Sequence, residues 1–323
     1  MAGQTGGPPL PRARGGISEA LIGHLRGSGP LPDPAAADAA DPYGDDLQLA
    51  LYLCYELHYR GFEGVDPALE WDPGLLALRA GLERRFESAL RRDVPPGADL
   101  DDTLEDLLVE PVDGTGVSHF LQEHATRDRL RAYAAQRSLY HLKEADPHAW
   151  VLPRLSGRAK AGMAAIEYDE FGAGRAERVH ARLFADLMAD LGLETAYGHY
   201  LDDGHAEMLA LVNLMSLFGL HRRLRGSLVG HFAAVEITSS PASGRLALAM
   251  KRAGAGPAAE FFYTEHVEAD AVHEQVVRYD VVRGLLDDEP GLEADVVFGI
   301  DATGFLEDRL GARFLTDWGA ATA

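Results

Sequence analysis

The sequence predicts an all-α protein, a bundle of long antiparallel helices. Apolar residues recur at helical spacing in one segment after another, Pro/Gly-rich stretches fall between segments, and strand-like runs are few and short. Residues 47–60 and 74–92 carry the first helical patterns, and 93–101 is a breaker. Further helical runs follow at roughly 117–145, 154–170, 175–191, 203–220, 224–238, 257–286 and 291–317. The 203–220 run starts behind Asp202 and Asp203, both candidate N-caps. It is apolar on nearly every side, which predicts burial all round. Only short runs such as 295–300 have strand character, and their neighbours read as helix.

Residues 1–42 hold 7 of the 17 prolines, together with many glycines and alanines, and read as a disordered tail. The 323 residues are 46% apolar, enough to bury a large core. A net charge of −21 makes nucleic acid and anionic membrane surfaces poor partners. No apolar run reaches the roughly 18 residues of a membrane span, and no secretion signal is evident. The one cysteine, Cys54, can form no internal disulfide, so the expected location is the cytoplasm.

The sharpest local signal is His266-x3-Asp270-x2-His273. Those offsets bring the three side chains within about 60° on a helix, and Phe262 and Val277 extend the same stripe. Two imidazoles and a carboxylate on a core-facing stripe need a partner such as a metal ion. The bland reading is a solvated polar face, since Glu265, Glu268 and Glu274 lie close by. His180 sits in an apolar stripe with Phe184, Leu187, Met188 and Leu191; ten residues earlier comes Glu170, followed by Phe171-Gly172-Ala173-Gly174. A lone histidine in such a stripe is more often an ordinary core residue than a ligand. Glu236 follows Val229, Phe232 and Ala233 on an apolar face, and Glu144 shares a face with Tyr133 and Tyr140. Taken singly, each acid reads as a surface residue. Taken together, Glu144, Glu170, Glu236 and Asp270 supply four negative charges against two divalent ions. The three imidazoles make a nitrogen/oxygen set suited to iron or manganese, with no soft thiolate among them.

The order and spacing of Glu144, Glu170, His180, Glu236, His266, Asp270 and His273 resemble the haem-oxygenase-like diiron oxidases and oxygenases. The likeness covers roughly 113–323 and is most specific at Lys143-Glu144-Ala145-Asp146-Pro147-His148, at Glu170-Phe171-Gly172-Ala173-Gly174 with His180, and at the His266 motif. The resemblance implies a haem-oxygenase-like helical bundle with an N-terminal extension and a non-haem site of two iron ions (Fe2+/Fe3+) held by those seven residues. It also implies O2 as co-substrate, a small organic substrate and an outside electron donor, either a reductase or an iron–sulfur protein. Amine N-oxygenation is favoured by the extra histidine, His266; desaturation or C–C cleavage of an amino or fatty acid is the alternative. Tyr140, Asp146, His148 and Tyr168 are candidate supporting groups. Residues 43–112 resemble the N-terminal helical extension of some longer family members and precede the diiron domain, 113–323; covering the core or making a homodimer contact is the expected role, and no chemistry is assigned to them.

Three competing readings remain at this level. A haem oxygenase would need an axial histidine and basic residues for the haem propionates. A thiaminase-like enzyme would need a core cysteine nucleophile, and Cys54 precedes the matched region. A non-catalytic iron-binding or helical interaction protein would need no substrate chemistry at all. Gly172-Ala173-Gly174 lacks the third glycine and the preceding strand of a dinucleotide loop.

Overall fold

The structure is a computed structural model that describes residues 7–95, 97, 99–110 and 114–320. Among the described residues it is all-α, with no strand. In chain order the helices are α1 (Gly16–Leu25), α2 (Asp45–Glu56), α3 (Pro73–Asp93), α4 (Leu100–Leu107), α5 (Val117–His124), α6 (Arg127–His141) and the single turn α7 (Asp146–Ala149). There follow α8 (Gly157–Glu170), α9 (His180–Asp190), α10 (Ala206–Leu220), α11 (Arg225–Arg252), α12 (Pro257–Val276), α13 (Arg283–Asp288) and α14 (Glu293–Asp317). A π-helical stretch, Val277–Val282, joins α12 to α13.

The helix starts are written locally. Asp72 accepts from the Leu75 N–H at 2.9 Å with Pro73 at the first helical position of α3, and Thr126 caps α6 through the Arg129 N–H at 3.2 Å. At the start of α12, Pro257 takes the first position and the Asp190 carboxylate accepts from Ala258 and Ala259 N–H at 2.7 and 3.2 Å. The end of α9 therefore caps α12, which fixes two site-bearing helices to each other.

α11 runs through the middle, packed along α12 on one side and α14 on another. Its contact with α14 requires glycine. A Cβ on Gly230 would stand 1.9 Å from the Val296 carbonyl oxygen, and one on Gly299 would stand 2.1 Å from that of Ser227. α10 is the buried helix its composition predicts, with every residue from Met208 to Gly219 inside. Its two buried polar side chains reach α2 and the turn after it: Asn213 Nδ2 donates to Gln48 twice at 2.8 Å, though its Oδ1 has no partner, and Ser216 Oγ lies 3.0 Å from Tyr59 Oη.

Several expectations need correction. The tail reading fails over residues 16–25, because Ile17, Leu21, Ile22 and Leu25 form one buried face of α1. Asp46 accepts the Ile17 and Ser18 N–H groups at 3.0 and 2.7 Å, so the helix start is satisfied from α2. The proline count masked this spacing of four; Pro34 merely opens a 3-10 turn, where a missing N–H costs nothing. Residues 1–6 of the expected tail and positions 96 and 98 of the breaker lie outside the described residues. The 117–145 run is two helices broken at Ala125 and ends at His141. Asp202 does not cap α10; it accepts from Arg12, while His205 occupies the cap position with its N–H on Gln136 Oε1 at 2.8 Å. Residues 295–300 are helix within α14. α11 extends beyond residue 238 and past Pro241, because Ser239 and Ser240 dock this stretch onto α12 through Asp270 and the Val267 carbonyl. That packing outweighs the one backbone bond that proline removes. Among the described residues, no helix is long and apolar enough to cross a membrane.

Candidate metal centre

All seven candidate residues point inward, with exposures from 2% at His273 to 8% at Glu144 and His266. Several local devices deliver them. Glu144 follows α6 in a turn whose next residue, Ala145, adopts a positive φ of 73°. Glu170 is the last residue of α8 and His180 the first of α9; between them Gly172, Ala173 and Gly174 all have positive φ (79°, 51° and 82°). The glycines end one helix so that the chain can return its imidazole beside the acid. Glu236 comes from the middle of α11, and His266, Asp270 and His273 form one stripe of α12.

The donor atoms fall into two groups that share one residue. Single ligand atoms of Glu144, Glu170, His180 and His266 lie within 4.8 Å of one another, and so do those of Glu170, Glu236 and His273. Glu170 therefore faces both groups, one oxygen 2.7 Å from His180 Nδ1 and the other 3.8 Å from His273 Nδ1. His273 Nδ1 is also 3.1 Å from Glu236 Oε2 and 3.6 Å from Asp270 Oδ1. Asp270 stands at the edge of the second group, accepting a hydrogen bond from Ser239 Oγ. The structure thus brings all seven to one place, with Asp270 outside both tight groups.

Electrostatics show how the cluster is balanced by protons alone. Burial opposes charge on His266, yet the facing carboxylates, Glu144 foremost, hold its pKa up at about 10. His273 is likewise driven up to about 11, burial being outweighed by Asp270, Glu236 and Glu170. His180 is raised by Glu170 against the cost of burial. Glu144 is held well below the usual carboxylate range because His141 and His266 outweigh its burial, whereas burial pushes Glu236 up, with His273 opposing.

The chemistry of the donors fits metal. Glu144 Oε2, His180 Nδ1 and His266 Nε2 are buried without a hydrogen-bond partner. His180 Nδ1 and its neighbouring Glu170 oxygen are close but out of line for a hydrogen bond, as donors converging on a shared ion would be. The imidazoles are held from behind: His266 Nδ1 donates to the Phe262 carbonyl at 2.7 Å, and His273 Nε2 lies 3.4 Å from Asp169 Oδ2. Such outer contacts fix which ring nitrogen faces the centre. The donors are carboxylate and imidazole throughout, a set suited to iron. The thiol of Cys54 sits in α2, with burial pushing its pKa up to about 12, too high for a nucleophile at neutral pH.

The supporting groups expected from sequence divide. Tyr140 is buried against His141 and His148. His148 is buried with its Nε2 3.1 Å from His231 Nε2, and His231 continues to Thr303 at 2.8 Å. Burial pushes the Asp146 carboxyl up. Tyr168 is a correction: it is more than half exposed and donates to the Ala173 carbonyl, so it braces the glycine turn. Sequence reasoning missed His141, 2.8 Å from Glu144 Oε1, and also Asp169, Ser239 and Glu167. Glu167 is 2% exposed with both oxygens unpartnered, and burial together with Glu170, Glu236 and Asp146 raises its pKa to about 9. Only its spacing of three from Glu170 on a helix signals it.

Among the described residues, an all-helical fold enclosing two carboxylate/imidazole groups has the build of the helical bundles that hold metal in their core. A family model described as iron-containing redox enzyme matches residues 131–307, more than half of the chain and inclusive of all seven residues. The protein belongs to this family and has its haem-oxygenase-like all-α fold. A search of curated proteins found no match.

Proposed function

We propose that this iron-containing redox protein is a non-haem diiron oxygenase or oxidase that uses O2 to oxidise a small organic substrate. The single observation that carries the reading is Glu170, whose two oxygens face two separate donor groups. Glu144, His180 and His266 would hold one iron, Glu236, His273 and Asp270 the other, and Glu170 would span both. The four carboxylates offset four positive charges, leaving the three imidazoles as neutral donors. Bound iron would supply the redox chemistry that carboxylates and imidazoles lack. The chain's own part is to hold the donors, to keep the ring nitrogens aimed through the Phe262 carbonyl and Asp169, and to exclude water with Phe184, Phe262 and Phe232. Electrons would come from an outside reductase or iron–sulfur protein.

Within this reading, amine N-oxygenation is favoured by the third imidazole, His266, as in the family members this chain resembles. Anaerobic loading with Fe(II) should give two irons per chain, and adding O2 should produce a transient visible absorbance with O2 uptake. His266→Ala and Asp270→Ala should abolish the transient and lower iron content. An unchanged transient in either variant removes that residue from the assignment. Iron uptake with no substrate oxidation across amines, amino acids and fatty acids would favour a non-catalytic iron-binding protein.

A further inference from the structure

We propose that the N-terminal extension, which lies outside the matched family region, is part of the metal centre's machinery: Glu56 and Arg60 position the turn that presents Glu144. This inference rests on reading Glu144 as an iron ligand. Glu56 ends α2 and is completely buried; Lys143, the residue before Glu144, is 1% exposed. The Lys143 ammonium donates to Glu56 Oε2 at 2.9 Å and lies 4.7 and 4.5 Å from the centres of the Tyr52 and Tyr59 rings. Tyr197 Oη is 2.8 and 2.9 Å from the two Glu56 oxygens, which occupies both of them. Arg60 stacks over the Tyr197 ring at 4.0 Å and donates to the Leu142 carbonyl at 3.1 Å. Successive residues 142 and 143 are thus gripped from the extension, one by its carbonyl and the other by its ammonium.

The turn needs such a grip. α6 stops at His141, the bonds that follow are short-range (Lys143 N–H to the Tyr140 carbonyl, Asp146 N–H to that of Lys143), and Ala145 sits at a positive φ that L-residues rarely adopt. A continued helix would carry Glu144 elsewhere. Burying an ion pair is expensive and is a poor way to gain stability alone, whereas it fixes geometry well. Glu56 and Arg60 are positioning residues: they act through the turn.

The test uses the full-length, metal-free protein titrated with Co(II), read by visible absorption, beside a thermal melt. Glu56→Gln should weaken Co(II) binding at least tenfold and change the band shape. Arg60→Met, at an exposed site that endangers folding least, should weaken it two- to fivefold. Glu83→Gln is the control: it removes another buried acid of the extension, bonded to Tyr55 and Arg79, with no contact to the turn. It should lower the melting temperature yet leave the Co(II) spectrum and affinity at wild-type values. Wild-type binding by Glu56→Gln and Arg60→Met overturns the proposal, as does equal weakening by Glu83→Gln. Should Glu56→Gln fail to fold, Arg60→Met decides alone. Glu144→Gln separates the two levels: if it binds Co(II) normally, the ligand reading fails and this inference with it, whereas weakened binding there with normal binding in the extension variants defeats only the positioning role.

Discussion

Glu167 shows what a single residue costs here. Its carboxyl is buried among other acids with no partner, so the folded metal-free protein keeps it protonated up to about pH 9. The unfolded chain ionises it near 4.5. Protons are then bound more tightly in the folded state, and stability falls as pH rises from about 4.5 towards 9. Glu167→Gln, which keeps the shape and removes the titration, should stabilise the metal-free protein by on the order of 1–3 kcal/mol at pH 8 and by little at pH 4.5. Urea unfolding at both pH values checks this, and an equal effect at both would refute it. His180, Glu236, His266, Asp270 and His273 were legible as core-facing positions because a carboxylate or imidazole inside an apolar stripe is conspicuous at helical spacing; Glu144, in the turn after α6, and Glu170, at the end of α8, joined the set through the family resemblance. Asp169 and His141 were not legible, since a polar residue beside a ligand looks the same in sequence whether it faces the ligand or water.

At the scale of helices, most boundaries were legible and the departures share a cause. Periodicity reports which face is buried, and it says nothing of what lies against that face. α1 was missed because the Pro/Gly-rich composition around it masked its four apolar residues, whose burial against α2 the sequence does not record. α11 outran its expected end because the two serines just before Pro241 find partners on α12. The same helix holds the most sensitive packing contact. Gly230→Ala would force a methyl group onto the Val296 carbonyl, and since that oxygen belongs to helix backbone it cannot swing aside. The expected loss is about 3 kcal/mol or more, read as a lower urea midpoint, with reduced metal loading because Glu236 lies less than two turns further along α11. Gly304→Ala, where a Cβ meets nothing within 4 Å, should leave the midpoint unchanged or raise it.

For the whole molecule, the metal centre and the folding equilibrium are linked through protons. The pKa values of His266 and His273 are raised, to about 10 and 11, by carboxylates that only the fold assembles. The stabilisation they bring is fully present below the unfolded value of 6.5 and is lost as pH climbs towards those raised values. The metal-free protein should therefore melt at progressively lower temperature between about pH 7 and 10. A metal ion must displace those protons, and His180 and Glu236 are raised as well, so loading at pH 7 should release at least about two protons per chain and tighten as pH rises. Calorimetric titration in two buffers of different ionisation enthalpy measures the number. No release would mean that the imidazoles are not donors.

The three left-handed residues between Glu170 and His180 also bear on how the chain can be cut. Gly172, Ala173 and Gly174 lead into Arg175, which is exposed, and the flanking acid and imidazole belong to the same donor group. Trypsin acting at Arg175 would have to draw this linker out of its path, and an ion gripping both ends would resist that. Digestion at Arg175 should accordingly slow once metal is added, making a protease a simple reporter of whether the two sides of the linker are clasped together.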